Sequence, residues 1–524
     1  MSSSAQEEYD RVLYPGAAHP QTHPDRLATL AILFGMQPMA LDRCRVLEIG
    51  CTDGGNLIPM AYELPNAEFV GIDVSARSLE IGRECVRSLG LKNIRLLECD
   101  IMDLAEDLGA FDYIIAHGIY SWVPPAVRHK MLAICNAHLA AQGVAYISYN
   151  VYPGSHLRDL VRGMMRYHVQ ELDDVEAKRK QAVALLRFVK DAQPEDDLFR
   201  NILAAELARI EKYTPAAFYH DDLADGTTPF YFHQFIADAA QQGLQFLAEA
   251  AFAEMQEQAF APAVVETLHA LGGDRIAREQ YRDFLNCRRF RQTLLCRREV
   301  PLGGPFAANV RRLFISARAT PTTESVQLAD GVLQEFSAPD GASITTGNPL
   351  FKAALLFLAE QSPRAFAFDA LLDAAVARAH EHGFSRGHEE AANELGEALL
   401  ALYAAPLVRF HVRAPRFVTD ISERPMSSAL VRWSLAKGLR SFTTLRHRTA
   451  AIDDPLAAQL ILLLDGTRDR EALVGALASF AQTGSLIRDT DGTPLKEEAE
   501  LRKIIAAGLE ENLRKLARMA LLVQ

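Results

Sequence analysis

Short apolar runs alternate with amphipathic stretches through the first 150 residues. The runs Cys44–Gly50, Glu68–Val74, Asn93–Asp100, Phe111–His117 and Gly143–Asn150 are continuous in hydrophobicity, so each predicts a strand buried on both faces. The stretches between them have helical spacing. Ala76–Leu89 is the clearest, with Ser75 placed as N-cap and Gly90 as the stop. Buried strands that alternate with helices predict a parallel sheet covered on both sides, a doubly wound α/β domain.

After Pro153-Gly154 the rhythm changes. Residues 155–217 are helical in composition, and strand-like pieces return only at Leu244–Ala248, behind a helix over Phe230–Gln242, and at Phe290–Arg297. These read as the last strands of the same sheet, which makes the helical stretch an insertion. Pro301-Leu-Gly-Gly-Pro305 reads as a linker. Beyond it, Ala353–Ala375 can be laid on Ala457–Ala478, each helix, break, helix and then a longer acidic helix. A hairpin-like Pro339-Asp340-Gly341 turn precedes the first copy. The expected organisation is a core with an N-terminal lid over 1–154 and an insertion with the remaining strands over 155–300. A winged-helix-like middle domain over 306–415 and a C-terminal helical domain over 416–524 follow.

Composition sharpens this picture. With 524 residues, 49% hydrophobic and 23% charged, the chain can build several cores and is neither disordered nor disulfide-stapled. Its net charge of −12 disfavours nucleic acid as a general partner. Seven scattered cysteines without a CxxC pair point to a reducing compartment. The Met-Ser-Ser-Ser start lacks a signal-peptide pattern and no apolar run reaches bilayer length, so the expectation is a soluble cytoplasmic protein. His380, His382, His388 and Glu389 lie in a polar stretch that reads as solvated loop, so no metal is expected.

The chemistry concentrates at Val46-Leu-Glu48-Ile-Gly50-Cys-Thr52-Asp-Gly54-Gly-Asn56, where a strand ends in an acid and a glycine turn leads into a helix. Glycines allow close backbone approach to a ligand, as in nucleotide sites generally. Glu48 decides between ligands: a carboxylate there repels a pyrophosphate and suits a cation, such as the ammonium of S-adenosylmethionine. Asp73 ends the second strand, placed to accept ribose hydroxyls. Asp100 ends the third, placed for the adenine amine, with Ile101 packing on the ring. The competing reading makes these acids ordinary helix caps.

At this point the chain resembles the class I S-adenosylmethionine-dependent methyltransferases. More narrowly, it resembles the bacterial protein-lysine methyltransferases with a methyltransferase regulatory domain, whose rickettsial members act on outer-membrane protein. The resemblance rests on Tyr14-Pro-Gly, Pro20-Gln-Thr-His-Pro-Asp-Arg-Leu-Ala-Thr-Leu30 and Ala116-His-Gly-Ile-Tyr-Ser-Trp-Val-Pro124. Phe230-Tyr-Phe-His-Gln-Phe235 and Gly243-Leu-Gln-Phe-Leu-Ala-Glu249 add to it. It implies S-adenosylmethionine as cofactor, with Tyr14, Gln21, His23, Asn56 and His117 joining Glu48, Gly50, Thr52, Gly54, Asp73, Asp100 and Ile101 around it. It also implies a protein acceptor, with outer-membrane protein as the precedent. Thr52 departs from the family pattern, standing where a glycine is usual.

The fourth strand end carries His117, Tyr120 and Trp122, and the fifth Tyr149 and Asn150. An Asp/Asn-Pro-Pro-aromatic tetrapeptide is not present there. Aromatic walls that desolvate a lysine amine lower its pKa, and nearby oxygens steer its lone pair. Tyr120 and Trp122 are therefore candidate walls, with His117, Tyr149 and Asn150 as orienters. The alternative is that the two aromatic walls pack the following helix. Tyr9–Pro24 reads either as a water-excluding lid or as a tail strapped over the fold. From Arg409 to Arg448, nine Lys/Arg stand against two acids. They fit either an acidic partner or docking against the acidic catalytic part. The reading adopted is a protein-lysine methyltransferase. A small-molecule methyltransferase and a cofactor-sensing regulator are its rivals.

Overall fold

The computed structural model describes residues 14, 16–104, 108–224, 226–258, 260–488 and 491–523. The part of the expected lid formed by Tyr9–Leu13 and Pro15 lies outside them. Seven strands form one sheet: β1 Arg45–Ile49, β2 Glu68–Asp73, β3 Ile94–Glu98, β4 Phe111–Ala116, β5 Leu139–Asn150, β6 Leu244–Glu249 and β7 Phe290–Arg297. Their order is β3-β2-β1-β4-β5-β7-β6. β1 to β5 pair in parallel, and β7 runs antiparallel between β5 and β6. The strand order reverses beside β1, so β1 and β4 flank the switch point at which open α/β sheets bind ligands.

Helices α1 (Pro24–Leu33), α2 (Leu57–Glu63), α3 (Ala76–Ser88) and α4 (Pro125–His138) cover the sheet. The Ser75 hydroxyl accepts from Ser78 N and caps α3, as expected from the sequence. β5 starts at Leu139 rather than Gly143. Leu139 pairs with Phe111 ahead of a register shift, and residues 140–142 after it are partly exposed, so continuous burial marks only the second part of the strand. The insertion is helical: α5 (Ser155–Val169), α6 (Val175–Asp191) and α7 (Leu198–Ile210) pack around a separate small core. The chain returns to the sheet through α8 (Phe232–Gln241).

A buried ionic cluster fastens the last strands. Arg291 is fully buried, donates to Glu249, Glu279 and Asp283, and lies 3.9 Å over the Phe232 ring. Each acid thereby keeps a partner in a place where an unpaired charge would be costly.

Beyond the linker, a hairpin (Gln334–Ser337 with Ser343–Thr346) precedes helices Pro349–Glu360, Phe368–His380 and His388–Ala404. The same order recurs in the hairpin Ser441–Thr443 with Thr449–Ala451 and helices Pro455–Leu463, Arg470–Gly484 and Glu498–Arg518. The two stretches differ in how they bury themselves. The first shares one continuous core with the seven-stranded sheet, whereas residues 431–522 form a core of their own. No helix among the described residues is long and apolar enough to cross a membrane.

Candidate active site

The glycine loop leaves β1 with Gly50 and Cys51 donating to Ile72 O. Gly50 (φ +71°) and Gly54 (φ +75°) are left-handed, and so is Thr52 at φ +49°. A threonine there is strained, and two bonds hold it. Thr52 N donates to Asp73 Oδ2 at 2.9 Å, and its hydroxyl donates to Cys51 O at 2.8 Å. Asp73 Oδ1 accepts from Ser75 N at 2.9 Å. Each carboxylate oxygen of Asp73 is thus fixed by one backbone donor at the carboxyl end of β2.

Glu48 is buried at 3% exposure. Its Oε1 accepts from Asn56 Nδ2 at 2.6 Å, while Oε2 is buried without a hydrogen-bond partner. Burial pushes its carboxyl up to about 8, because one amide bond offsets only part of the desolvation and Asp73 and Asp53 add repulsion. Asp100 follows β3 and accepts from Met102 N at 3.0 Å, so it does cap the 3-10 turn Ile101–Asp103, where Ile101 is buried.

The segment from Gly16 crosses over this loop. A Cβ on Gly55 would lie 2.6 Å from Gly16 C, so the two backbones touch. Next along, His19 N donates to Asn56 Oδ1 at 2.9 Å, and the His19 ring lies 4.0 Å from that of His117 at the end of β4. Burial lowers His19 to about 4 and His117 to about 3, so both are neutral imidazoles at physiological pH. His117 Nδ1 is 2.9 Å from Tyr146 Oη and 3.1 Å from Ser148 Oγ. Tyr14 reaches the insertion, its ring 5.6 Å from that of His220. The described part of the N-terminal segment is therefore a strap that touches the loop, the β4 end and the insertion together.

Other expected residues fall elsewhere. Gln21 is half-buried in the 3-10 turn Pro20–Thr22. His23 caps α1 through Nδ1, and its Nε2 lies 3.3 Å from Glu63 Oε2, with its ring beside His447; it serves a contact with the C-terminal half. Tyr120 and Tyr149 are fully buried against Phe235 and back the strand ends from inside. Tyr149 Oη is 3.0 Å from Thr293 Oγ1, which donates to Glu249, so that phenol is committed to the buried cluster. Phe230 and Phe235 pack on Tyr120, and Phe235 is fully buried core. Trp122 is half-buried, 5.5 Å beneath the Arg162 guanidinium of α5. Asn150 Nδ2 donates to Thr227 Oγ1 at 3.1 Å. Replacing Tyr149 by Phe should then cost about 1 kcal/mol of stability in urea unfolding, the usual worth of one hydrogen bond, with cofactor affinity unchanged. A loss of affinity would return that phenol to the site.

Over its whole length the chain resembles the uncharacterised protein RP789 of Rickettsia prowazekii, at 32% identity across 98% of this chain and 93% of that one. Three family models match within it: a methyltransferase domain over 46–143, a predicted methyltransferase regulatory domain over 214–297 and a PKMT C-terminal winged helix domain over 423–521. The chain is a class I methyltransferase of this family. A second relative, the uncharacterised protein RP028 of the same organism, is 36% identical over 46% of this chain and 96% of its own. Among solved structures, PKMT2 from Rickettsia typhi in complex with AdoHcy superposes with a TM-score of 0.87, at 27% identity, across 98% of this chain and all of that one.

The enzyme uses S-adenosylmethionine, and its site fits that molecule on its own terms. A buried carboxylate oxygen without a donor suits a cation, and Asp73 is a carboxylate whose position is fixed by Thr52 N and Ser75 N. The C-terminal half, whose basic stretch fits either an acidic partner or docking, docks at several points. Arg413 pairs with Glu63 at 2.9 Å and Lys437 with Glu84 at 2.5 Å. Ala429 N donates to Tyr62 Oη at 3.1 Å, and Asp25 of α1 accepts from His411 and Val412.

Proposed function

We propose that the enzyme methylates lysine side chains of a protein. The observation that carries this reading is the extent of the likeness: the similarity to PKMT2 covers the insertion and both C-terminal parts as well as the catalytic sheet. An appended half of this size has nothing to hold in a small amine, whereas a protein acceptor reaches beyond the strand ends. An outer-membrane protein is the acceptor class to try first. The four-part division drawn from the sequence, with the lid formed by the N-terminal strap, is retained in this reading.

Glu48 would hold the cofactor's ammonium through Oε2, Asp73 the ribose diol and Asp100 the adenine amine, with Ile101 on the ring. Gly50, Thr52, Gly54, Tyr14 and Gln21 would close around it. Bound S-adenosylmethionine supplies an electrophilic methyl group on a sulfonium. The protein's part is to present a neutral amine in line with it. Burial lowers His117 to about 3 and makes it a weak base, so in this reading it orients the amine rather than deprotonating it. The acceptor must shed its proton by desolvation, and in this reading Trp122 is the aromatic wall that excludes water there. Asn150, its Nδ2 held by Thr227, would steer the amine through its amide oxygen. Trp122→Ala should lower kcat about tenfold and leave the cofactor Kd unchanged, since alignment and desolvation act on the reacting amine.

Methyl-labelled cofactor tests the acceptor class. The enzyme is incubated in parallel with an outer-membrane-protein fraction, total RNA, and free lysine with other small amines. Label is expected in the protein fraction alone. Label in the small amines alone would move the small-molecule reading ahead.

A further inference from the structure

Between the two short strands Ser441–Thr443 and Thr449–Ala451 of the winged-helix part, His447 turns inward at φ +52° and is buried at 3% exposure. A hairpin tip is ordinarily an exposed place, and this one ends in the cofactor loop. His447 Nε2 donates to Asn56 Oδ1 at 2.8 Å, and Asn56 Nδ2 donates to Glu48 Oε1 at 2.6 Å. The two residues joined by the first bond are 391 positions apart in sequence. Asn56 Oδ1 also accepts from His19 N, and Asn56 Nδ2 donates to the Thr22 hydroxyl at 2.9 Å. Donors converging on the amide oxygen fix which way the amide faces, so that its NH2 meets Glu48. His447 faces His23, whose Nε2 is beside Glu63, and His19 lies near. Burial among these groups keeps the imidazole neutral, and as the Nε2–H tautomer it donates to Asn56.

We propose that His447 is a positioning residue for the cofactor site: through Asn56 it holds the Glu48 carboxylate with one oxygen occupied and the other free, so the winged-helix domain sets the affinity for S-adenosylmethionine. This rests on the cofactor assignment alone and stands or falls independently of the acceptor. It also alters what loss of the C-terminal half means, since that half completes the cofactor loop from outside in addition to any part in holding protein.

Two substitutions in the full chain separate the hydrogen bond from the fold. His447→Asn suits the left-handed backbone, because asparagine tolerates it well, but its amide is too short to reach Asn56. His447→Gln restores an N–H at the imidazole's reach. By calorimetry with S-adenosylhomocysteine, the Asn variant should bind roughly tenfold more weakly at unchanged Tm, and the Gln variant within roughly threefold of the parent. In turnover, the Asn variant should raise the cofactor KM and leave kcat at saturation within roughly twofold. Parent-like affinity in the Asn variant, or a folded Gln variant as weak as the Asn variant, overturns the proposal. Should both variants lose stability, amide exchange in the parent decides. S-adenosylhomocysteine should slow exchange at residues 444–449, because coupling between two sites is reciprocal. Unchanged exchange at those residues overturns it.

Discussion

Replacing Asp73 by alanine should remove S-adenosylhomocysteine binding almost entirely, by at least about 3 kcal/mol, or two orders of magnitude in Kd. Two losses add. In the proposed ribose contact a carboxylate that accepts hydroxyl groups disappears, and bonds to a charged acceptor are at the strong end of the range. The same oxygens hold Thr52 N and Ser75 N, so the strained threonine in the glycine loop loses its tether at the same time. Calorimetry on the folded variant checks this. Asp73→Asn, which keeps one acceptor oxygen, should fall between parent and alanine. Full-strength binding by the alanine variant would remove Asp73 from the ribose.

The second large effect concerns Glu48 and pH. In the free protein its carboxyl is pushed up to about 8, mainly by burial, so it is mostly protonated at neutral pH. A cation on Oε2 requires the carboxylate, and cofactor binding must then release a proton. Linkage gives the sign. Affinity is full above about 8 and weakens as pH falls below it, by up to tenfold per unit. The groups facing this carboxyl, Asn56, Asp53 and Asp73, supply no cation that would cancel the effect. Glu48→Gln keeps the shape and removes the charge. It should bind about 1.5–3 kcal/mol more weakly above pH 8 and show a flat profile below it. Binding enthalpies in buffers of different ionisation heat read the released proton directly, and their agreement in the parent would contradict the assignment.

The catalytic sheet was legible because most of its strands are buried on both faces and write themselves as apolar runs, edge strand β3 with exposed Arg95 and Glu98 being the exception. The start of β5 escaped because Ala140-Ala141-Gln142 is an edge-like, partly exposed piece. Glu48, Asp73 and Asp100 stand out as candidates for another reason: acids at three successive strand ends are chemically unusual, and strand ends of one parallel sheet share an edge. Tyr120 and Tyr149 show where the signal stops. An aromatic beside a strand end reads alike as site wall or as core, and only the stacking on Phe235 separates the two. His23 sits in a stretch whose proline-rich pattern resembles a lid, yet its partners come from Glu63 and the C-terminal half. His447 carried no local mark at all. A histidine between two short polar strands looks like an exposed turn, and its partner, Asn56, is near in space only because the winged helix docks on the catalytic core.

The measurement that bears most directly on lysine methylation is tandem mass spectrometry of a protein substrate treated with the full-length enzyme and a cofactor carrying an isotopically labelled methyl group. Labelled methyl on the side-chain nitrogen of lysine, absent when the enzyme is Asp73→Ala, is the result predicted here. Labelled methyl confined to arginine, glutamine or a carboxylate, or an unmodified protein beside a methylated free amine, would contradict it.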